Sequence, residues 1–169
     1  MTTVSADAIK ELRERTGAGI MDCKRALEDA QGDMDKASDL LKERGIATVA
    51  KKASRAANEG LIETYVHAGG RIGVIVELNC ETDFVARTED FRELAHNIAL
   101  QVAAMNPQAI DDEIPLDDLD TSSGEPRLLH QPFVKDASQT IANLLTDTVA
   151  KVGENIVIRR FARYGIGEE

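Results

Sequence analysis

Residues 61–79 read LIETYVHAGGRIGVIVELN, and this segment determines the architecture of the larger part of the chain. Residues 61–67 and 71–79 are both rich in β-branched residues, which is typical of strands. Gly69-Gly70 between them supplies the positive φ angles that a tight hairpin turn needs. Alternate residues of the second strand are apolar and share one face: Ile72, Val74, Val76 and Leu78. The segment therefore predicts a β-hairpin with one face against a core.

Downstream of the hairpin, two helical patterns and one further strand complete this part of the chain. After Thr88, apolar residues recur at helical spacing as far as Pro107: Phe91, Leu94, Ala95, Ile98, Val102 and Met105. A later helix ending at Gly153 is predicted by the same spacing of Ile141, Leu144, Leu145, Val149 and Val152. A strand follows over residues 155–164. Residues 58–169 are therefore predicted to form an α+β core in the order β-β-α-α-β, a small antiparallel sheet packed with helices.

Upstream of the hairpin, residues 1–45 predict a module of three short helices. Ser5 is placed to cap the first helix, which ends at residues 16–19, and Val4 is placed to pack on Ile9. The second helix has a small apolar face and ends near Gly32: Cys23, Ala26, Leu27 and Ala30. The third is expected to begin at Asp33 and to end at Gly45. Alanine-rich residues 46–57 predict a helical connector.

Charge and composition limit the possible functions. The 169 residues include 30 acidic and 20 basic side chains, a net charge of -10, which argues against nonspecific binding to nucleic acid or to an anionic membrane. Six of the acidic residues lie at 111–120, and an acidic surface loop is expected over residues 111–124. Residues 1–56, with 11 basic and 10 acidic side chains, are almost neutral. A basic or acidic protein partner stays open.

Several classes of site are not supported by the residue pattern. Residues 1–8 carry no leader-like pattern and the longest apolar run is short, so we expect a cytoplasmic protein without a membrane span. There is no glycine-rich phosphate loop. The chain has three histidines and two cysteines: His67, His96, His130, Cys23 and Cys80. Neither set has metal-ligand spacing, so we expect no metal site and no disulfide. No cofactor is expected.

Cys80 is the one residue that suggests a catalytic alternative, a thiol enzyme. A catalytic thiol needs a lowered pKa, which basic neighbours or a helix N-terminus provide. The charged residues beside it are Glu81 and Asp83, which oppose thiolate formation. A buried packing role at the end of a strand is favoured, and we expect no catalytic residues.

The segment 79–87, NCETDFVAR, leaves a strand and enters a helix. Thr82 is a plausible N-cap, and Asp83 is favoured in the first turn of the helix that follows. Phe84 has two interpretations. It is either a core residue, like Phe91, or an exposed aromatic anchor that inserts into a partner. The chain has only six aromatic residues, which makes one between charged neighbours conspicuous.

Three segments of the chain resemble the elongation factor Ts family. They are residues 11–27, ELRERTGAGIMDCKRAL, residues 79–86, NCETDFVA, and residues 149–156, VAKVGENI. The segments occur in order over nearly the whole length. The acidic residues 111–120 are not explained by this resemblance.

The resemblance implies a module like the ubiquitin-associated (UBA) domain, followed by an α+β core. It implies a guanine nucleotide exchange factor that binds the GTPase elongation factor Tu and releases its GDP, with no catalytic residues or cofactor of its own. In that family the N-terminal module contacts the GTPase through residues matching Lys10, Arg13, Ile20 and Met21. A turn matching Thr82, Asp83, Phe84 and Val85 enters the magnesium and phosphate end of the nucleotide site. Val152 and Gly153 match a further contact.

Two alternatives remain open at this point. A UBA-like adaptor would bind its partner without accelerating GDP release. Longer members of the family carry two related core halves, whereas this chain has one, so a homodimer could restore the missing half. The hairpin of residues 61–79 offers an apolar sheet for such pairing.

Overall fold

The computed structural model describes residues 4–168 of the chain. Residues 1–3 and 169, at the ends of the predicted module and core, lie outside that range. The described chain has N-terminal helices followed by a small antiparallel sheet packed with helices, which confirms the predicted α+β class.

Three helices open the described chain: α1, Ala6–Thr16, α2, Ile20–Asp29, and α3, Met34–Lys52. The Ser5 hydroxyl accepts a hydrogen bond from the Ala8 N–H at 3.1 Å, as expected of an N-cap. Gly17 ends α1 with a left-handed φ of 68°. A common core is formed by buried residues of all three helices: Leu12, Cys23, Ala26, Leu27, Ala30 and Ala37.

The expected end of the third helix at Gly45 is wrong, because α3 continues to Lys52 and includes most of the expected connector 46–57. A glycine ends a helix when it adopts a positive φ, and Gly45 does not. It is buried instead, and a Cβ placed on it would lie 3.3 Å from Thr146 Cγ2. Here glycine permits close packing rather than a stop, and the domain boundaries 45 and 57 stay predictions.

The remaining elements follow in chain order: β1, Glu59–Val66, β2, Ile72–Cys80, α4, Asp83–Ala86, α5, Glu89–Met105, β3, Pro132–Phe133, β4, Asp136–Thr140, α6, Ile141–Val152, and β5, Ile156–Gly165. Their order confirms the predicted hairpin, both helices and the closing strand. β2 pairs antiparallel with β1 on one side and with β5 on the other. Gly69 and Gly70 turn the hairpin with φ of 90° and 69°.

One face of this sheet is buried under α5. Val74, Val76 and Leu78 point into that core, as their alternation predicts. On α5 the predicted apolar stripe is buried from Phe91 to Val102, but Met105 is exposed. Met105 is the last residue of the helix, and Asn106 follows in the left-handed conformation, so the side chain lies beyond the core.

The short β3–β4 hairpin was not predicted, because Asp136–Thr140 is a polar strand without apolar alternation. Two buried amides support this region. Gln101 Nε2 donates to Gln131 Oε1 and to the Pro132 carbonyl, each at 3.1 Å, and its Oε1 accepts from the Val134 N–H at 2.8 Å.

The expected acidic loop 111–124 is exposed, and it contains a single 3-10 turn at Leu116–Asp118 among the described residues. It is joined to the segment before it, because the Gln108 side chain donates to the Asp120 carbonyl at 2.8 Å and accepts from the Asp120 N–H at 3.0 Å. Arg127 pairs with Asp112 and Glu125. The acidic residues are therefore displayed on a loop with a defined path.

By internal packing the chain divides into two compact units. One comprises the residues up to Ser54 together with Thr146–Gly153. The other comprises Arg55–Leu145 together with the residues from Glu154 onward.

Gly60 and Gly73 provide a matched test of the sheet. Gly60 has a φ of 147°, and a Cβ on it would overlap the Leu78 carbonyl oxygen and lie 2.8 Å from Asn79 Cα. We expect Gly60→Ala to lower the free energy of unfolding by at least about 2 kcal/mol. Gly73 has open space around it, so Gly73→Ala should change the free energy of unfolding by no more than about 0.5 kcal/mol in the destabilising direction. Urea unfolding measures both, and equal destabilisation would contradict the predicted close approach at Gly60.

Candidate partner-binding site

The predicted turn at residues 82–85 begins where β2 ends at Cys80. Thr82 has extended φ and ψ angles of -131° and 154°, and its hydroxyl accepts from the Val85 N–H at 3.4 Å, which confirms the N-cap. Asp83 begins α4. The helix ends after four residues, because Thr88 caps the separate helix α5. The result is a short turn between the sheet and α5 that comprises Thr82, Asp83, Phe84 and Val85. It is called the exchange turn, after the role proposed for it below.

Phe84 is 77% exposed, whereas Phe91 is fully buried. Phe84 is therefore not a core residue, and of the two interpretations left open by the sequence the exposed aromatic remains. Ala86 at the end of α4 is buried and anchors the turn. An exposed phenylalanine on a capped turn is the geometry expected of an aromatic anchor.

The other two residues of the exchange turn are held by local contacts. The Asp83 carboxylate accepts from Arg87 Nη2 at 2.6 Å, one helical turn further along. Val85 is half-buried, and its carbonyl oxygen accepts from the Thr88 hydroxyl at 2.7 Å. The charge of Asp83 is therefore partly neutralised in the isolated chain.

Sequence reasoning missed Glu154, which contacts the exchange turn across more than 70 positions of sequence. Its Oε2 accepts from the backbone N–H groups of Glu81 and Thr82 at 3.1 and 2.9 Å, and its Oε1 accepts from the Thr82 hydroxyl at 2.7 Å. In return, the Glu81 carboxylate accepts from the Asn155 N–H at 2.7 Å. Glu154 lies in the third segment of the family resemblance, and that was the available indication of its importance.

The predicted N-terminal contact residues are all exposed. Lys10 and Arg13 lie one turn apart on α1, and Lys10 Nζ is 3.8 Å from Glu14 Oε1. Ile20 and Met21 open α2 and are 53% and 57% exposed, although both are large apolar residues. The first two helices thus display exposed basic and apolar side chains, within the first compact unit.

Val152 and Gly153 lie at the end of α6. Val152 is half-buried, and Gly153 is exposed with a φ of 81°, so it ends the helix as expected. By internal packing they belong to the unit that contains Lys10 and Ile20, whereas the exchange turn belongs to the other unit.

The two thiols have the environment of packing residues. Cys80 is fully buried and its Sγ donates to the Thr82 carbonyl at 3.1 Å. Burial, followed by the negative charge of Glu154, raises the pKa of the Cys80 thiol. Burial also raises the pKa of Cys23. Both shifts favour the neutral thiol and oppose the chemistry of a thiol enzyme.

The histidines are distributed over two places. The rings of His67 and His96 both neighbour that of Tyr65, with centroids at 6.1 and 5.9 Å from it, and His130 Nε2 lies 3.2 Å from Asp112 Oδ2. Among residues 4–168, no three His, Cys, Asp or Glu side chains are grouped so that they could hold a metal ion. None of the helices in that range is both long and apolar enough to cross a membrane.

An exposed aromatic residue on a capped turn, and exposed apolar residues at the start of a helix, are features of a protein-binding protein. The comparisons with known proteins give the family. The elongation factor Ts family pattern matches residues 26–123 and 81–169. An elongation factor Ts from Caldanaerobacter subterraneus is 49% identical over 195 aligned positions, covering 98% of both chains. One from Moorella thermoacetica is 46% identical, covering 98% of this chain and 96% of its own. The chain belongs to the elongation factor Ts family.

Thiol reactivity tests the assignment of Cys23 and Cys80 as packing residues. We expect neither to react with Ellman's reagent within minutes at about pH 8, because burial keeps both protonated. Both should react at once in guanidinium chloride. Cys80→Ser assigns the signal to one thiol. Rapid reaction of Cys80 in the native protein would support the thiol-enzyme alternative.

Proposed function

We propose that this chain is a guanine nucleotide exchange factor that binds elongation factor Tu with GDP and promotes release of the GDP. Membership of the family makes it a translation elongation factor. The observation that carries the finer proposal is Phe84, a phenylalanine 77% exposed on a capped turn. Leaving it in water is unfavourable, and insertion into a partner removes that apolar surface from solvent.

The exchange turn suits displacement of nucleotide rather than bond making. A GTPase holds GDP partly through magnesium and through contacts to the phosphates, so disturbing that end weakens binding without touching the base. Phe84 acts as an apolar wedge. Asp83 leaves its ion pair with Arg87 and offers its carboxylate as a competing acceptor at the place where the GTPase organises metal and water. Coupling is reciprocal, so incoming nucleotide lowers the affinity for this chain and lets it recycle.

Docking is proposed to use the other exposed residues. Lys10, Arg13, Ile20 and Met21 contact the nucleotide-binding domain of the GTPase, and Val152 with Gly153 provides a further contact. The exposure of Ile20 and Met21 supports this role. Large apolar side chains that are left out of a protein's own core, and lie together in sequence, are typical of a surface that a partner covers. The chain itself needs no cofactor or catalytic residue for exchange, and it works in the cytoplasm, where elongation takes place.

A second copy of the chain is the proposed occupant of the outer sheet face. That face carries exposed apolar residues from all three strands: Ile62, Val66, Ile75 and Tyr164. It also carries the ion pair of Glu77 Oε2 with Arg160 Nε at 2.7 Å. A face with both charges is complementary to itself across a two-fold axis, which supports a homodimer and a 2:2 complex with the GTPase.

Phe84→Ala tests the exchange function. Using a fluorescent GDP analogue bound to elongation factor Tu, we expect wild type to accelerate release, and Phe84→Ala to lower the maximal release rate by at least about tenfold. The substitution removes an exposed side chain, so the thermal unfolding midpoint should stay unchanged.

Leu116→Ala is the matched control, because it removes an exposed apolar side chain from the acidic loop instead. With this variant, elongation factor Tu should release GDP at the same rate as with wild type. If Phe84→Ala gave the same maximal rate of GDP release as wild type, the wedge role would be overturned. A wild-type chain that binds the GTPase without accelerating release would identify the adaptor instead.

Light scattering tests the homodimer. Wild type should have about twice the mass of one chain, and Ile75→Asp should have the mass of one, because a carboxylate on the central strand would be buried unpaired in the interface. Leu116→Asp places the same charge away from the sheet and should leave the mass unchanged. A monomeric wild-type chain at micromolar concentration would contradict the proposal.

A further inference from the structure

The exchange turn depends for its conformation on contacts with residues outside α4, in the sheet, in α5 and in the segment before β5. Helix α4 is four residues long, and a single helical turn is not stable by itself. Phe84 projects into solvent and has little packing to hold it in place. The position of the phenyl ring is therefore set by the backbone on which it stands.

That backbone is held by Glu154. We propose that Glu154 is a positioning residue for nucleotide exchange, which holds the exchange turn in the conformation that presents Phe84 to the partner. The inference rests on the proposed function. Its carboxylate accepts from both N–H groups that follow the end of β2, those of Glu81 and Thr82, at 3.1 and 2.9 Å. Its second oxygen accepts from the Thr82 hydroxyl at 2.7 Å.

The Thr82 hydroxyl transmits this constraint into α4. It donates its proton to Glu154 Oε1 and accepts from the Val85 N–H, so its orientation is determined from both sides. An N-cap hydroxyl without such a partner is free to rotate. Glu154 thus fixes the cap, and the cap fixes the first turn of the helix that carries Phe84.

A reciprocal contact keeps Glu154 itself in place. Glu81 Oε1 accepts from the Asn155 N–H at 2.7 Å and lies 3.4 Å from Arg55 Nη1. Asn155 is buried, and its amide donates to the Arg55 carbonyl at 2.9 Å. Each of the two carboxylates thus accepts from the backbone of the other segment. These backbone donors stabilise the charges of both carboxylates.

Double substitution tests whether Glu154 acts through Phe84. In the GDP-release assay, Glu154→Ala should lower the maximal rate by about tenfold, while the concentration for half-maximal effect changes by less than about threefold. Added to Phe84→Ala, it should lower the rate by less than about twofold further, because the residue that it positions is already gone. Glu154→Gln should restore part of the rate, since its carbonyl oxygen can accept from both N–H groups, whereas its amide nitrogen cannot accept from the Thr82 hydroxyl. Glu113→Ala, which removes a carboxylate from the acidic loop, should match wild type.

A wild-type maximal rate for Glu154→Ala would overturn the inference. So would a full additional loss in the Phe84→Ala background, which indicates general destabilisation. Hydrogen exchange on the free protein gives a readout without the partner: the amides of Glu81 and Thr82 should exchange at least about tenfold faster in Glu154→Ala. Unchanged protection would overturn the positioning role. Failure of the proposed function gives a different result. In that case wild type would not accelerate GDP release, whereas the amides of Glu81 and Thr82 would still lose protection in Glu154→Ala.

Discussion

Strand β2 is hydrogen-bonded along both of its edges, and this pairing controls where the functional residues emerge. At its end, Cys80 is paired with Glu59 of β1 and with Ile156 of β5. The antiparallel register with β5 brings the residues after Cys80 beside those before Ile156. Glu81 therefore faces Asn155, and Thr82 faces Glu154, without any further element to guide them.

The exchange turn follows from what happens when that ladder stops. Backbone N–H groups beyond the last strand pair still need acceptors, and leaving them buried and unpaired is unfavourable. Glu154 accepts from two of them. The same contacts that satisfy the backbone also join the exchange turn to the segment before β5. In the proposed mechanism, one carboxylate therefore both satisfies the backbone and positions the residue that meets the partner.

The sequence predicted features that depend on neighbours in the chain. The Ser5 and Thr82 caps, the Gly69-Gly70 turn and the alternation along β2 are local, and the structure confirms them. Features that depend on distant residues were missed. The polar strand β4 lies beside a region held by the buried Gln101 and Gln131 amides, and Gly45 is needed because Thr146 packs against it. The contact between Glu154 and Thr82 required the sheet register, which no local pattern contains.

The distribution of charge has a consequence for the exchange turn. The net charge of -10 is concentrated in the acidic loop, which is held by its own contacts, whereas Asp83 in the turn is paired with Arg87. The pair is exposed, so water and salt weaken it and its rupture is inexpensive in free energy. In the proposed exchange mechanism, the Asp83 carboxylate can therefore leave Arg87 for a cation of the nucleotide site at a small cost in free energy.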